Sequence, residues 1–264
     1  MHFHFPFSVN EILWTLTFAA HLVLLVVLMG RDRIRRFPWF TANIVLVAFR
    51  LLSAKMLYGH LAQIRMAEIF IGLACVGAIV TAMMLQELAR KAFTGIARAR
   101  WVLGSLVLLA IGAVVLATWG KWPAWNTLTA QGMLSHLELL QFLALKASLL
   151  LDVETVLLGV VVLFFGWRYA AGWKTHVQRI VIGLATASLS QITMEATWEW
   201  IARTAKPHSM AEYQHFMDLH QHMFSANSVV YLLVLIWWIA CLWKDEPTPK
   251  TELIPENPPQ PEQV

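Results

Sequence analysis

Three side chains of the kinds that bind transition metals recur at helical spacing near the end of the chain. His215, Asp218 and His222 are three and four residues apart, so on an α-helix they lie within about 60° of one another. Imidazole and carboxylate groups together suit Zn, Mn, Fe or Ni, with a further ligand from a neighbouring helix. The spacing indicates a divalent transition-metal site; an exposed helix surface rich in histidine is the alternative interpretation.

The same helix is predicted to carry a second polar face, formed by His220, Asn227 and Tyr231. This face points away from the histidine and acid cluster, and we expect it to turn towards the interior of the protein. It predicts a ligand pocket that needs no metal.

Ionisable side chains also occur inside apolar segments. Most fall in the predicted outer half of the membrane, and the last falls near its middle: Arg50, Asp152, Glu195, Glu199 and His21. Because such groups are costly in lipid, they should face the bundle interior or a water-filled cavity, and Arg50 should pair with Asp152 or Glu195. The predicted ligand pocket combines both sets: Arg50, Asp152, Glu195, Glu199, His220, Asn227, Tyr231 and His21.

The composition places these segments in a membrane. Of the 264 residues, 58% are hydrophobic and only 14% are charged, and the mean hydropathy is +0.60. No soluble domain of this length buries so much apolar surface. The sequence pI of about 9.2 would suggest nucleic acid in a soluble chain, but the basic residues lie in short segments between apolar runs. We therefore predict a lipid bilayer as partner, and no nucleic acid.

Seven apolar runs are long enough to cross a bilayer. They cover residues 12–30, 38–58, 64–88, 101–120, 147–167, 177–202 and 223–243. The predicted fold is an all-α, polytopic membrane protein with a bundle of seven transmembrane helices in residues 1–244. A disordered, Pro-rich cytoplasmic tail is predicted for residues 245–264.

Residue pairs that begin helices predict how far some of these helices extend. Capping-box spacings occur at three places: Ser8 with Glu11, Ser135 with Glu138, and Ser209 with Glu212. Thr175 with Gln178 predicts a start for the sixth helix. A helix from Met210 to Trp243 would measure roughly 50 Å against a hydrocarbon core of about 30 Å. Helices five to seven are thus predicted to extend beyond the outer surface.

Lysine and arginine residues are concentrated in alternate connections between the runs, beginning with Arg31, Arg33, Arg35 and Arg36. By the positive-inside rule these connections are cytoplasmic, which places the N-terminus outside and the C-terminus in the cytoplasm. The predicted location is the plasma membrane, or the inner membrane of a bacterial cell.

Residues that characterise two known kinds of seven-helix membrane protein are missing. The seventh run has no mid-membrane lysine for a retinal Schiff base, which rhodopsins require. His220 and His222 are two residues apart, so the H-x-x-x-H of metal-dependent intramembrane hydrolases is not formed. Neither family is assigned.

The charge distribution favours a receptor or sensor. Charges crowd the predicted outer half of the membrane while the inner half is apolar, so no continuous polar path crosses it. We expect an outward-facing pocket for a small ligand, a proton or a metal ion. Because the short loops hold no output domain, the protein would act through a membrane or cytoplasmic partner.

Two alternative functions use the same residues. In a transporter or proton-coupled membrane subunit, Arg50, Asp152 and Glu195 would be the coupling charges. In a metal-dependent membrane enzyme, the cluster of His215, Asp218 and His222 would hold the metal.

Overall fold

A computed structural model describes residues 8–57, 60–93, 98–118, 133–165, 175–205 and 209–246. These ranges form eight helices and contain no strand. The helices are α1 (Val9–Gly30), α2 (Arg33–Arg36), α3 (Pro38–Leu57), α4 (Gln63–Ala92), α5 (Arg98–Thr118), α6 (Met133–Phe165), α7 (His176–Thr204) and α8 (Met210–Trp243). The predicted all-α class is confirmed.

Five of the helices are long and apolar enough to cross a membrane, namely α1, α3, α4, α6 and α8. α5 adds a shorter apolar segment, Gly104–Thr118, in the described part of the chain. α7, predicted as the sixth span, is not among the five, since arginine, glutamine and glutamate side chains recur along it. The protein is a helical, multi-pass membrane protein suited to a lipid bilayer.

The N-termini of α1 and α8 are capped as predicted. At α1 the side chains of Ser8 and Glu11 each bond the backbone N–H of the other residue, which completes a capping box. At α8 the Ser209 hydroxyl accepts a hydrogen bond from the Glu212 backbone N–H at 3.2 Å. The helix then continues without a break to Trp243.

The predicted start is correct for α7 and wrong for α6. The Thr175 hydroxyl accepts a hydrogen bond from the Gln178 backbone N–H and caps α7. α6 begins at Met133, so Ser135 lies inside its first turn. Because an N-cap residue has a non-helical backbone, Ser135 is not the N-cap of α6 as predicted.

Several helices are longer than a bilayer requires. α6 has 33 residues and α8 has 34, so each measures about 50 Å at ~1.5 Å per residue. α4 has 30 residues and ends beyond its predicted run, at Ala92. Its last turns carry Glu87, whose carboxylate accepts a hydrogen bond from the Trp39 backbone N–H at 2.9 Å and so caps the start of α3.

The long helices form a closed ring. Going around it, α1 packs against α3, α3 against α4, α4 against α6, α6 against α7, α7 against α8, and α8 against α1. α5 lies outside the ring, with α6 as its main neighbour in the described structure. As a result, α4 separates α3 from α6.

The apolar core occupies one half of the bundle. We call this half the basic end, because it includes Arg31, Arg33, Arg36 and Lys244; the opposite half is the far end. The largest fully buried side chains lie mostly in the basic end: Trp238, Phe37, Phe40, Leu24, Leu28, Ile44, Met84, Leu88, Ile180, Leu235 and Leu242. Few side chains are buried in the far end, where the additional length of α8 projects.

Two glycines allow the closest helix contacts. A Cβ on Gly183 of α7 would overlap the indole nitrogen of Trp238, which is 1% exposed and packs edge-on against Phe40. A Cβ on Gly159 of α6 would overlap the Cβ of Ala185 on α7. These contacts hold α6, α7 and α8 together about one to three turns below their polar residues.

Candidate functional site

Polar side chains of α6, α7 and α8 meet on the far-end side of the apolar core. We call this group the polar seam, and it consists of Asp152, Ser188, Ser190, Gln191, Glu195 and Asn227. The predicted pocket residues among them are Asp152, Glu195 and Asn227. The structure therefore brings together the pocket residues of three predicted spans.

Asp152 joins α6 to α7. Its Oδ1 atom accepts a hydrogen bond from the hydroxyl of Ser188 at 2.7 Å, and Ser188 is itself buried. Gly159 lies about two turns further along α6 and lets the two helices approach closely. The short serine side chain can therefore reach the carboxylate across the interface.

A directed chain of hydrogen bonds joins α7 to α8. The Ser190 hydroxyl donates to the side-chain oxygen of Asn227 at 2.7 Å, and the Asn227 amide donates to the oxygen of Gln191 at 2.6 Å. The Gln191 amide in turn donates to the carboxylate of Glu195 at 2.7 Å. All three donors point towards Glu195, so each bond polarises the next and strengthens the last.

The polar seam contains two carboxylates without a compensating cation. Asp152 and Glu195 are close enough to interact electrostatically. Neither forms an ion pair in the described part of the chain. Asp152 is partly buried and Glu195 is exposed, so Asp152 in particular needs a proton, water or a positive partner if it lies at membrane depth. The polar seam therefore has the chemistry of a site for a proton or a cationic group.

Arg50 does not supply the predicted partner charge. It lies on α3 with its guanidinium against α4, where Nη1 is 3.6 Å from the position of a Cβ built on Gly77. Arg50 forms no ion pair with Asp152 or Glu195 in the described structure, and α4 lies between α3 and α6 in the ring. Depth in the membrane can be estimated from a sequence, but the order of helices around the ring cannot.

Glu199 is separated in role from the polar seam. Its carboxylate forms an ion pair with the guanidinium of Arg203, one turn along the same helix. The Arg203 guanidinium compensates the negative charge of Glu199. The contacts of Glu199 therefore do not support its predicted place among the pocket residues.

His220 turns towards α7, as its predicted face requires. Its ring lies against Trp198, with ring centroids 4.2 Å apart, and Phe216 lies against the same indole at 4.3 Å. The three rings form a cluster beside the polar seam at the far end, and we call it the aromatic clasp. An electron-rich indole face at this place is suited to contact with a cation.

His21 and Tyr231 form a second buried polar contact, between α1 and α8. The Nδ1 atom of His21 is 2.7 Å from the Thr17 carbonyl oxygen, and its Nε2 atom is 3.0 Å from the Tyr231 hydroxyl. A carbonyl can only accept, so Nδ1 carries a proton and Nε2 accepts from Tyr231 in the neutral ring. The two residues belong to the predicted pocket, but this contact joins a different pair of helices.

The predicted metal site is not formed. The described residues include no group of three or more His, Cys, Asp or Glu side chains able to hold a metal ion. The Nδ1 atom of His222 lies 2.6 Å from the backbone carbonyl of Asp218 on its own helix, and His215 is exposed. Helical spacing aligned these residues on one face without supplying the ligands from a neighbouring helix.

A further acid lies outside the polar seam. Glu154 is on the side of α6 that faces α5, where a Cβ on Gly112 would overlap its carboxylate. Its Oε1 atom is buried and has no hydrogen-bond partner in the described structure. α6 therefore carries one acid towards α7 and another towards α5, outside the ring.

Ser190 and Trp198 are two of the four α7 contact residues that are absent from the predicted pocket; the others are Ser188 and Gln191. Serine and tryptophan are ordinary in membrane helices and carry little signal by themselves. Their partners, Asn227 and His220, share one predicted face of α8. Ser190 and Trp198 could have been predicted only from this face of α8, together with the knowledge that α7 packs against α8.

No protein-family model, no curated protein and no solved structure matches this chain, so its function has to be inferred from the polar seam and the packing around it.

Proposed function

We propose that this protein is a receptor or sensor of the plasma membrane. Its seven helices cross the bilayer with the N-terminus outside and the C-terminus in the cytoplasm, so that the far end faces outwards. A small cationic ligand or a proton binds at the polar seam. The change is passed to a membrane or cytoplasmic protein partner.

The observation that carries this proposal is the pair of uncompensated carboxylates. Asp152 and Glu195 receive hydrogen bonds from the neutral groups of Ser188 and Gln191. Neutral donors orient carboxylates without cancelling their charge, so a positive charge is the complement that the polar seam lacks. The nearby Trp198 offers an aromatic surface for the same charge.

The packing below the polar seam supports a receptor over a transporter. A transported solute would have to pass the apolar side chains of the basic end, where Leu235 and Ile180 are fully buried and Trp238 is 1% exposed. These residues belong to one apolar cluster of the described core, whereas the buried polar residues Arg33, His176 and Gln178 lie in the first turns of α2 and α7. The binding site is therefore closed on the basic side.

We expect small amines to stabilise the protein through the polar seam. Purified protein in nanodiscs would be heated with choline, propylamine or spermidine, and the Tm recorded. A ligand at about 100 times its Kd adds roughly 2.7 kcal/mol to the free energy of unfolding. The amine should raise the Tm of the wild type. It should not raise the Tm of the double variant Asp152→Asn with Glu195→Gln.

The matched control is Glu138→Gln, on an exposed position of the same helix as Asp152. It should retain the full response to the amine. An increase in Tm that survives in the double variant would contradict a role of the carboxylate pair.

A further inference from the structure

Polar atoms without partners are buried at the basic end. His176, Gln178 and Arg33 are buried, with exposed fractions of only 0%, 1% and 9%. Both ring nitrogens of His176, the Oε1 atom of Gln178 and the Nε atom of Arg33 have no hydrogen-bond partner in the described structure. Buried polar groups are normally paired, so a missing partner at this place calls for an explanation.

The carboxylate of Glu246, an anionic group of the chain, already lies beside His176. The Glu246 carboxylate accepts a hydrogen bond from the backbone N–H of His176 at 2.7 Å, and its other oxygen is 2.5 Å from the Arg36 guanidinium. This N–H belongs to the first turn of α7, where the helix dipole also favours negative charge. Glu246 therefore occupies an anion site.

A second acid of the chain lies beside it. The Asp245 carboxylate is 3.3 Å from Arg33 and 3.6 Å from Arg31. Arg179 also approaches from α7 and lies near His176. The two acids are thus surrounded by more arginines than they can neutralise.

We call this site the basic cradle, and it consists of Arg31, Arg33, Arg36, His176, Gln178 and Arg179. Its arginines outnumber the carboxylates of Asp245 and Glu246 by two. A water molecule could pair with the buried polar atoms but would leave this excess positive charge in place. An anion with more oxygens than a carboxylate would offset this charge and accept hydrogen bonds from the unpaired donors, the Arg33 Nε–H and the ring N–H of His176.

We propose that the basic cradle binds a phosphate group, and that Asp245 and Glu246 compete with this group for the same donors. Phosphate oxygens would accept from the Arg36 guanidinium and the His176 backbone, and also from the Nε–H of Arg33 that no carboxylate reaches. Such a group is available as the headgroup of an anionic phospholipid, since the cradle lies where apolar helices end. Free inorganic phosphate has the same chemistry.

The experiment compares these two sources directly. Protein in nanodiscs would be prepared with phosphatidylglycerol, or with phosphatidylcholine, and lipid retained after transfer to detergent would be counted by native mass spectrometry. Inorganic phosphate would then be titrated against the retained lipid, with chloride of equal ionic strength as control. Enrichment of phosphatidylglycerol that phosphate displaces identifies the lipid headgroup. Phosphate binding without lipid enrichment, measured by calorimetry, identifies a soluble anion, and both results support the proposal.

Variants test whether the basic cradle is the site. Arg33→Gln with Arg36→Gln removes two charge-assisted contacts, and binding should fall by roughly tenfold or more. Arg35→Gln is the matched control, because the Arg35 side chain is 89% exposed and pairs only with Asp32 in the described structure. Equal losses in the control, or no preference for a phosphate group over chloride, would overturn the proposal.

A variant of the competing acids keeps the proposal testable even if the arginine variant fails to fold. Asp245→Asn with Glu246→Gln leaves the donors in place and removes their carboxylate competitors. Phosphate or phosphatidylglycerol should then bind at least about threefold more tightly. Unchanged or weaker binding in a folded variant would show that the acids do not compete for the site, which would also overturn the proposal.

Discussion

Burial determines the protonation behaviour of His176 at the basic end. The loss of solvent, with the nearby guanidinium of Arg33 as a second cause, lowers the pKa of His176 from an ordinary 6.5 to about 4. For Glu246, burial alone would raise the pKa, but the N–H of His176 and the guanidinium of Arg36 outweigh it and hold the pKa below its usual 4.5. The folded protein therefore keeps a neutral imidazole beside an ionised carboxylate.

Acidification should destabilise the protein through His176. Because the unfolded chain binds the proton with a pKa near 6.5 and the folded chain with a pKa of about 4, protons favour unfolding between these values. The contribution to stability is complete above pH 6.5 and is lost as the pH falls towards 4. Thermal unfolding followed by circular dichroism should show a smaller loss of Tm in this range for His176→Asn than for the wild type.

The control for this measurement is His60→Asn, since His60 is exposed in a turn at the opposite end. Its pH dependence should match that of the wild type. If His176→Asn loses as much Tm on acidification as the wild type, the imidazole is not the responsible group.

At the scale of single residues, the sequence contains the information that is local to one helix. The face of α8 that carries His220, Asn227 and Tyr231 follows from helical spacing alone, and each of these residues contacts a neighbouring helix. The partner predicted for Arg50 depended on which helices are neighbours. Spacing within one helix contains no such information.

α8 connects contacts at three heights of the bundle. His220 meets Trp198 in the aromatic clasp, Asn227 bonds the polar seam on α7, and Tyr231 bonds His21 on α1. A rotation or shift of α8 would alter all three contacts at once, since they lie on one continuous helix. α8 is therefore the element best placed to carry a change at the polar seam towards the basic end.

The glycine contacts of α7 should be sensitive to a single added methyl group. In Gly183→Ala the new Cβ would overlap the rigid indole of Trp238, and overpacking of this kind costs about 1–3 kcal/mol. The Tm in detergent should fall by several degrees. Gly159→Ala should behave in the same way, because its Cβ would meet Ala185 close to the α7 backbone.

Gly72→Ala on α4 provides the comparison, because nothing lies within 4 Å of a Cβ at that position. This variant should be as stable as the wild type or slightly more so, since alanine favours a helix over glycine. Equal Tm values for all three variants would mean that α7 does not pack as closely as described.

At the scale of elements, the residues at which helices begin were more predictable from the sequence than the question of which helices pack against each other. Ser8, Thr175 and Ser209 cap helices through bonds to residues only three positions away. α6 begins earlier than predicted because capping spacing at Ser135 says nothing about whether the residues before it are already helical. The last turn of α4, beyond its predicted run, carries a tertiary contact, the hydrogen bond of Lys91 to the backbone carbonyl of Arg36.

The whole molecule is asymmetric along its length. The basic end is packed around Trp238 and held together by ion pairs, whereas the far end contains the polar seam and most of the additional helix length. The distribution of charged residues predicted this asymmetry. The closed ring of six helices with α5 outside it could not be predicted, since it depends on packing between segments far apart in the chain.

The closed basic end predicts that the protein does not conduct protons or substrate. Proteoliposomes containing a pH-sensitive dye would be given a proton gradient, and the internal pH followed. The wild type and Asp152→Asn should both match protein-free liposomes. A steady flux that Asp152→Asn abolishes would replace the receptor proposal with the proton-coupled transporter.

The position of α5 has a consequence for how the chain is threaded. α4 and α6 are neighbours that both run from the far end to the basic end, so the chain must return across the bundle between them. α5, whose apolar segment Gly104–Thr118 is shorter than the five long spans, makes this return on the outside, where α6 is its main neighbour in the described structure. Its composition should therefore tolerate wide exchange among aliphatic residues, with Gly112 as the exception, because the Glu154 carboxylate occupies the space where any larger side chain would begin.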